Sequence, residues 1–299
     1  MKKLKQVLLL AICLAVVLMT GCSKKDTNTT DASAAGNSTE TATDATNSSD
    51  NATTEAVTQT TETATEDAAA PVEILVAAAA SLQNSMEELG KLYQSEHSNV
   101  TVTFTFGSSG TLQEQIEQGA PVDVFMSAAL KQMTALEDKG LILDGSKKEL
   151  LENKVVLIVP KDSKLGITSF KDILKAPTIA LGDPESVPVG QYAEEVFSSL
   201  SMLEDVKKQA NYGKDVTEVL TWVSTGNADA GVVYATDAMS SKDVTVVAEA
   251  PEGSTSKVIY PAAVVKDSKV TDAAKAFVDY LASDEALGIF EKYGFAPNK

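Results

Sequence analysis

Thiol chemistry is almost missing from this chain. Of its 299 residues only two are cysteine, Cys13 and Cys22, and both lie within the first 22. From residue 72 onward there is therefore no disulfide, no thiolate metal ligand and no cysteine nucleophile. Histidine occurs once, as His97 in the polar run Ser95-Glu96-His97-Ser98-Asn99, which reads as a solvated loop. A serine nucleophile needs a base within reach, and this imidazole would have to serve alone. Gly107-Ser108-Ser109-Gly110 has the wrong spacing for a G-x-S-x-G nucleophile elbow. A secreted hydrolase built on Ser81 or Ser109 is thereby disfavoured, and the chain reads as no enzyme. Positive charge is also short: 25 Lys and Arg face 42 Asp and Glu, a net charge of -17. That balance repels nucleic acid, but it does not exclude a small anion, which helix ends can hold through local dipoles.

Long apolar runs are confined to the start of the chain. Lys2, Lys3 and Lys5 give a positive start, the stretch from Leu4 to Met19 is apolar but for Lys5 and Gln6, and Thr20-Gly21-Cys22 follows. This order reads as an export signal over residues 1–22. Small residues just before a cysteine resemble the bacterial lipobox, with Met19 where leucine is usual, and imply that Cys22 is lipidated and anchors the protein to the outer face of the membrane. The alternative is an uncleaved anchor, for which the run is short. Residues 23–71 are rich in Thr, Ala, Ser, Asn, Asp and Glu, with nine acidic residues against Lys24 and Lys25. They hold too little apolar surface to offset the entropy of ordering and read as a disordered acidic tether.

What remains, residues 72–299, is long enough for one large domain or two lobes. Strand-like and helical patterns alternate in it, which predicts an α/β fold. The stretch Ile74–Ala129 opens with two units of one kind. An apolar run leads through alanines to Ser81 and a helical pattern. A Thr-alternating run, Val100–Phe106, leads through Gly107 to Ser109 and a second helical pattern. Each serine sits where a strand hands over to a helix. Helix-opening N–H groups lack intrahelical partners and carry partial positive charge, so two such ends facing one cleft would hold a small anion. The plain alternative is that both serines are ordinary N-caps.

Further along, strands are predicted at 123–127, 154–159, 178–181, 230–234, 244–247 and 257–265, the last interrupted by Pro261. Helices are predicted at 130–139, 168–174, from about 190 through 200, 215–225 with Asp215 as cap, 271–283 and 284–293. Trp222 falls on an apolar helix face and reads as core. Tyr234 ends a buried strand, a place where a tyrosine is usually core with a wet hydroxyl.

Taken together, the pieces AAASL, SSxTL and QIExGAPxDxF, then GDPExVPxGxYA at 182–193, GxVYxxDA at 231–238, YPxAVV at 260–265 and IFxxYGF at 289–295, closely resemble the extracytoplasmic molybdate-binding proteins of ABC uptake systems. The resemblance spans the whole of 72–299 in order. It implies a two-lobed periplasmic-binding-protein-like fold of type II, each lobe a mixed sheet flanked by helices, with the ligand in the interlobe cleft. The lobes would comprise 72–153 with 256–299, and 154–255, joined by crossings near 152–155 and 250–262. It implies a monomer without a cofactor that captures molybdate, or tungstate, and hands it to a membrane permease. Carried over position by position, it places Ser81 and Ser109 in the first lobe. The backbone N–H groups of Val189 and Val216 and the Tyr234 hydroxyl come from the second. Val189 stands where alanine is usual. Gly110 stands where serine is common, which implies a looser loop. Sulfate or an organic anion on the same fold is the alternative, although none of these positions is Lys or Arg.

Overall fold

The computed structural model describes residues 70–298. The export signal, Cys22 and the tether up to residue 69 lie outside the described residues. The described chain opens with β1 (Val72–Ala79), a 3-10 turn (Ala80–Leu82), α1 (Gln83–Glu96), β2 (Val100–Gly107), α2 (Ser109–Glu117), β3 (Val124–Met126), α3 (Leu130–Asp138) and β4 (Lys148–Asn153). It then enters a second body: β5 (Val155–Pro160), a 3-10 turn (Phe170–Lys175), β6 (Ile179–Gly182), α4 (Pro188–Ser199), α5 (Leu203–Lys207), β7 (Ala210–Gly213), α6 (Val216–Ser224), β8 (Ala230–Tyr234), α7 (Ala235–Met239) and β9 (Val244–Glu249). Last come β10 (Val258–Val264), α8 (Thr271–Leu281), α9 (Asp284–Lys292) and β11 (Ala296–Pro297).

Two mixed sheets result, in the orders β11-β4-β10-β3-β1-β2 and β7-β6-β8-β5-β9. They share a plan. In the first, β1 lies between β2 and β3, both parallel to it, and β10 runs antiparallel beside β3. In the second, β6 lies between β7 and β8, both parallel to it, and β5 runs antiparallel beside β8. The chain passes between the sheets twice, from β4 to β5 and from β9 to β10.

Local sequence accounts for these elements. The end of β1 is Val76-Ala77-Ala78-Ala79, all buried, as expected of a central parallel strand covered on both faces. β2 is an edge strand, and its Thr residues alternate with Val and Phe on a half-buried surface. Helices α4, α6, α8 and α9 each bury one stripe, such as Val216, Val219 and Val223 of α6.

Several expectations are corrected. β4 was not anticipated, because Lys-Glu-Leu-Leu-Glu-Asn shows neither alternation nor an apolar run, and its pairing with β10 and β11 makes it a strand. β10 runs as one strand through Pro261, and the expected interruption takes the form of a register shift against β4 between Tyr260 and Pro261. Helices α5 and α7, five residues each, were too short to show a period.

Candidate functional site

Three strands of each sheet bring their carboxyl ends to one cavity. After β1 come Ala80 and Ser81, after β2 Ser108 and Ser109, and after β3 Ala128. From the second sheet come Val187, Pro188 and Val189 after β6, Val216 after β7, and Tyr234 at the end of β8. Ligands of open α/β sheets bind outside the carboxyl ends of the strands, and here two such crevices face each other. The space between them is small, about 10 Å³, on the scale of a single water. All five positions singled out in the sequence line it.

The serines are not the caps that the plain alternative made them. Ser108 caps α2, its Oγ accepting from Thr111 N at 3.2 Å. Ser109, the first residue of α2, is fully buried, and its Oγ accepts from Ala128 N at 2.9 Å. Ser81 lies inside the 3-10 turn ahead of α1, caps nothing, and has its Oγ 2.9 Å from the Tyr260 hydroxyl. The Ser109 hydroxyl hydrogen thus remains available to the cavity, whereas Ser108 donates to Thr111 Oγ1 at 2.8 Å and the Ser81–Tyr260 pair suits a bond in either direction.

On the facing side, Pro188 occupies the first position of α4, where its missing N–H costs nothing, and Val189 is second. Val216 is the first residue of α6, capped by Asp215, whose carboxylate accepts from Glu218 N at 2.9 Å as the sequence predicted. Among the described residues no acceptor takes the backbone N–H of Ser81, Ser109, Val189 or Val216. Tyr234 is 2% exposed, and its hydroxyl has no hydrogen-bond partner. The expected wet hydroxyl is instead buried and unpartnered, on a residue that lines the cavity. Burial pushes its phenol well above the usual tyrosine range, so it keeps its proton.

Charge is excluded from the lining. No acidic or basic side chain contributes to it, and all 25 basic residues of the chain are lysine. Behind Tyr234, the Asp237 carboxylate accepts from Tyr234 N at 3.1 Å. Burial, opposed by that hydrogen bond and aided by Asp215, pushes Asp237 up to about 7. A second cavity of about 430 Å³ opens at the amino ends of β1 and β3, where Glu73, Asp123 and Asp267 outnumber Lys269.

Gly110 does not loosen its loop. Its N–H donates to Ser186 O of the second lobe at 2.9 Å, and a Cβ there would fall 2.5 Å from that oxygen and 2.7 Å from Ser186 Cα. Glycine lets the two backbones meet. Gly190 serves similarly within the second lobe, where a side chain would overlap the Gly182 carbonyl.

His97 ends α1, stacked on the Tyr93 ring at 4.1 Å. Fourteen helical residues separate it from the turn that carries Ser81, about 20 Å of rise, so it is no base for either serine. Trp222 packs half-buried against the core and does not line the cavity. The residues that sequence reasoning missed are Tyr260, Asn153 and Asp237. The first two connect to Ser81 only through the fold.

Comparison with known proteins agrees with this architecture. The family model described as bacterial extracellular solute-binding protein matches residues 74–296. YvgL of Bacillus subtilis, provisionally named an ABC transporter substrate-binding lipoprotein, is 47% identical over 229 residues, 77% of this chain and 88% of that one. The molybdate-binding protein ModA of Escherichia coli is 40% identical over 232 residues, 75% of this chain and 88% of that one. Among solved structures, the substrate-binding domain of a provisionally named molybdenum ABC transporter from Clostridium difficile superposes with a TM-score of 0.60 at 41% identity, covering 76% of this chain and 100% of that one. The periplasmic molybdate-binding protein of Azotobacter vinelandii, at 21% identity and a TM-score of 0.68 over 76% of this chain and 100% of that one, shares the fold. With its two mixed sheets and the family match over nearly all of the described residues, this chain belongs to the bacterial extracellular solute-binding proteins.

Proposed function

We propose that the protein captures molybdate, and tungstate alike, outside the cytoplasm and delivers it to an ABC permease, without catalysing a reaction. The observation that carries this reading is the cavity itself: a small, charge-free space, ringed by hydroxyls and unpaired helix-opening N–H groups, with an orphaned Tyr234 hydroxyl. Ser81, Ser109, Val189, Val216 and Tyr234 are the donors. The names of the relatives in Escherichia coli and Clostridium difficile support the choice of anion. The two passages between sheets support a division into lobes at 72–153 with 256–299, and 154–255, that close on the ligand as a monomer.

Donors without acceptors carry a selection rule. A fully deprotonated tetrahedral dianion satisfies them all, whereas a protonated oxyanion leaves its own O–H unpaired, at about 1–3 kcal/mol. Lipidation at Cys22 and the acidic tether would hold the domain near its permease. The name of the Bacillus subtilis relative, a lipoprotein, supports that anchoring. Calorimetric titration with molybdate, tungstate, sulfate and phosphate tests the reading. Tight binding of the first two with weak or no binding of phosphate is expected. Preference for sulfate or phosphate would replace it.

A further inference from the structure

Behind Ser81 stands a chain of hydrogen bonds that does not touch the cavity. The Asn153 amide, at the passage from β4 to β5, donates through Nδ2 to the Tyr260 hydroxyl at 3.2 Å and to Thr236 Oγ1 of the second lobe at 2.9 Å. Its Oδ1 accepts from Lys154 N at 2.8 Å, which fixes which way the amide faces. An amide nitrogen only donates, so the Tyr260 oxygen is an acceptor toward Asn153. Its own proton is then free for Ser81 Oγ, 2.9 Å away. The Ser81–Tyr260 distance suits a bond in either direction; with the Tyr260 proton turned to Ser81 Oγ, Ser81 accepts and keeps its own proton for the cavity. Tyr260 is fully buried and is not part of the cavity lining.

We propose that Asn153 and Tyr260 are positioning residues that lock Ser81 as a donor, through a one-way relay from Asn153 N–H to Tyr260 O–H to Ser81 O–H. The relay rests on the reading of the cavity as an oxyanion site and deepens it. Without it, the Ser81 hydroxyl could turn and offer a lone pair, which is what a protonated oxyanion requires. Ser109 is locked the same way by Ala128 N–H. In this arrangement each serine spends one lone pair on the protein and turns its proton to the cavity, Ser109 through a backbone group and Ser81 through two side chains distant in sequence. Successive bonds of this kind polarise one another, which strengthens the last donor. Thr236 ties the relay to the second lobe, so Ser81 is set correctly only when the lobes are in register.

A double-mutant cycle in the full chain tests this, with binding of molybdate, tungstate, sulfate and phosphate measured for the parent, Tyr260→Phe, Ser81→Ala and the double variant. Tyr260→Phe keeps the ring that packs edge-on against Tyr234 and Phe295 and removes the hydroxyl alone. It should weaken molybdate binding about 3- to 10-fold, the worth of an ordinary hydrogen bond. It should also narrow the preference for molybdate over phosphate. In the Ser81→Ala background the same change should cost less than about 2-fold, because the relay acts only through Ser81. Equal losses in both backgrounds would mean that Tyr260 merely packs, and would overturn the proposal. Should Tyr260→Phe fail to fold, as read by circular dichroism, the same cycle with Asn153→Ala decides on the same criterion. A parent that ignores molybdate but binds sulfate or phosphate overturns the functional reading while the cycle, run with that anion, still decides the relay. A parent that binds none of the four overturns both.

Discussion

Removing the Tyr234 hydroxyl should move stability and binding in opposite directions. Tyr234 is 2% exposed, and its hydroxyl makes no hydrogen bond within the protein. A buried, unsatisfied hydroxyl costs about 1–3 kcal/mol. Tyr234→Phe deletes that cost and leaves the ring contacts with Tyr192 and Tyr260, at centroid distances of 6.4 and 5.8 Å, in place. The ligand-free protein should therefore melt no lower than the parent, and higher by up to about 2–4 °C for each kcal/mol recovered in a domain of this size. With the anion present the hydroxyl would donate to a charged oxygen, worth about 1.5–3 kcal/mol, so molybdate affinity should fall about 10- to 100-fold. Calorimetry gives the affinity, and differential scanning with and without molybdate gives both melting temperatures. A Phe variant that binds molybdate like the parent, or one that is less stable without ligand, refutes the assignment of Tyr234 as a waiting donor.

Ser109→Ala should weaken molybdate binding about 10- to 100-fold, while Val189→Ala should change it little and Val189→Pro, which deletes the N–H, should change it greatly; circular dichroism separates lost binding from lost fold. Gly110→Val should hold the lobes apart, because its side chain would meet the Ser186 backbone, and small-angle scattering with molybdate should show less compaction than in the parent. Asp237 binds its proton more tightly folded, at about 7, than its ordinary value of 3.8. Between about pH 4 and 7 the unfolded chain has released a proton that the native state keeps, so this residue lowers stability as pH rises through that window, by up to about 1.4 kcal/mol per pH unit. Asp237→Asn should flatten the urea midpoint over the same range, and an unchanged slope would sink the assignment. Mass spectrometry of the mature N-terminus should find lipid on Cys22; an unmodified cysteine or cleavage elsewhere contradicts it.

How far the sequence could be read depended on how local the information was. Asp215 announced itself as a cap because a cap is made by its own helix three residues away. The strand-to-helix handovers at Ser81 and Ser109 were visible for the same reason. Which serine of the pair Ser108-Ser109 caps was not, since either could turn its hydroxyl onto the helix and only contact with Ala128 settles the matter. Gly110 read as slack, because the Ser186 backbone that requires its missing Cβ comes 76 residues later and from the other lobe. The partner of Ser81, Tyr260, lies 179 residues away, and nothing in a run of Val, Ile, Tyr and Pro marks one hydroxyl as part of a relay. β4 escaped because its strand character comes from its neighbours. The site positions themselves were reached through the family resemblance, and the helix-end logic then supplied their chemistry.

A dianion held in this cavity by neutral donors alone should bring each of those donors within hydrogen-bonding reach of its oxygens. Anomalous diffraction from crystals of the molybdate complex, collected at the molybdenum absorption edge, tests it most directly. The metal centre should lie between the carboxyl ends of the two sheets. Its oxygens should be about 2.7–3.1 Å from the hydroxyls of Ser81, Ser109 and Tyr234 and the N–H groups of Val189 and Val216, with no lysine at the anion. A molybdenum peak in the acid-lined groove beside Asp123, or a lysine closing on the oxyanion, would contradict it.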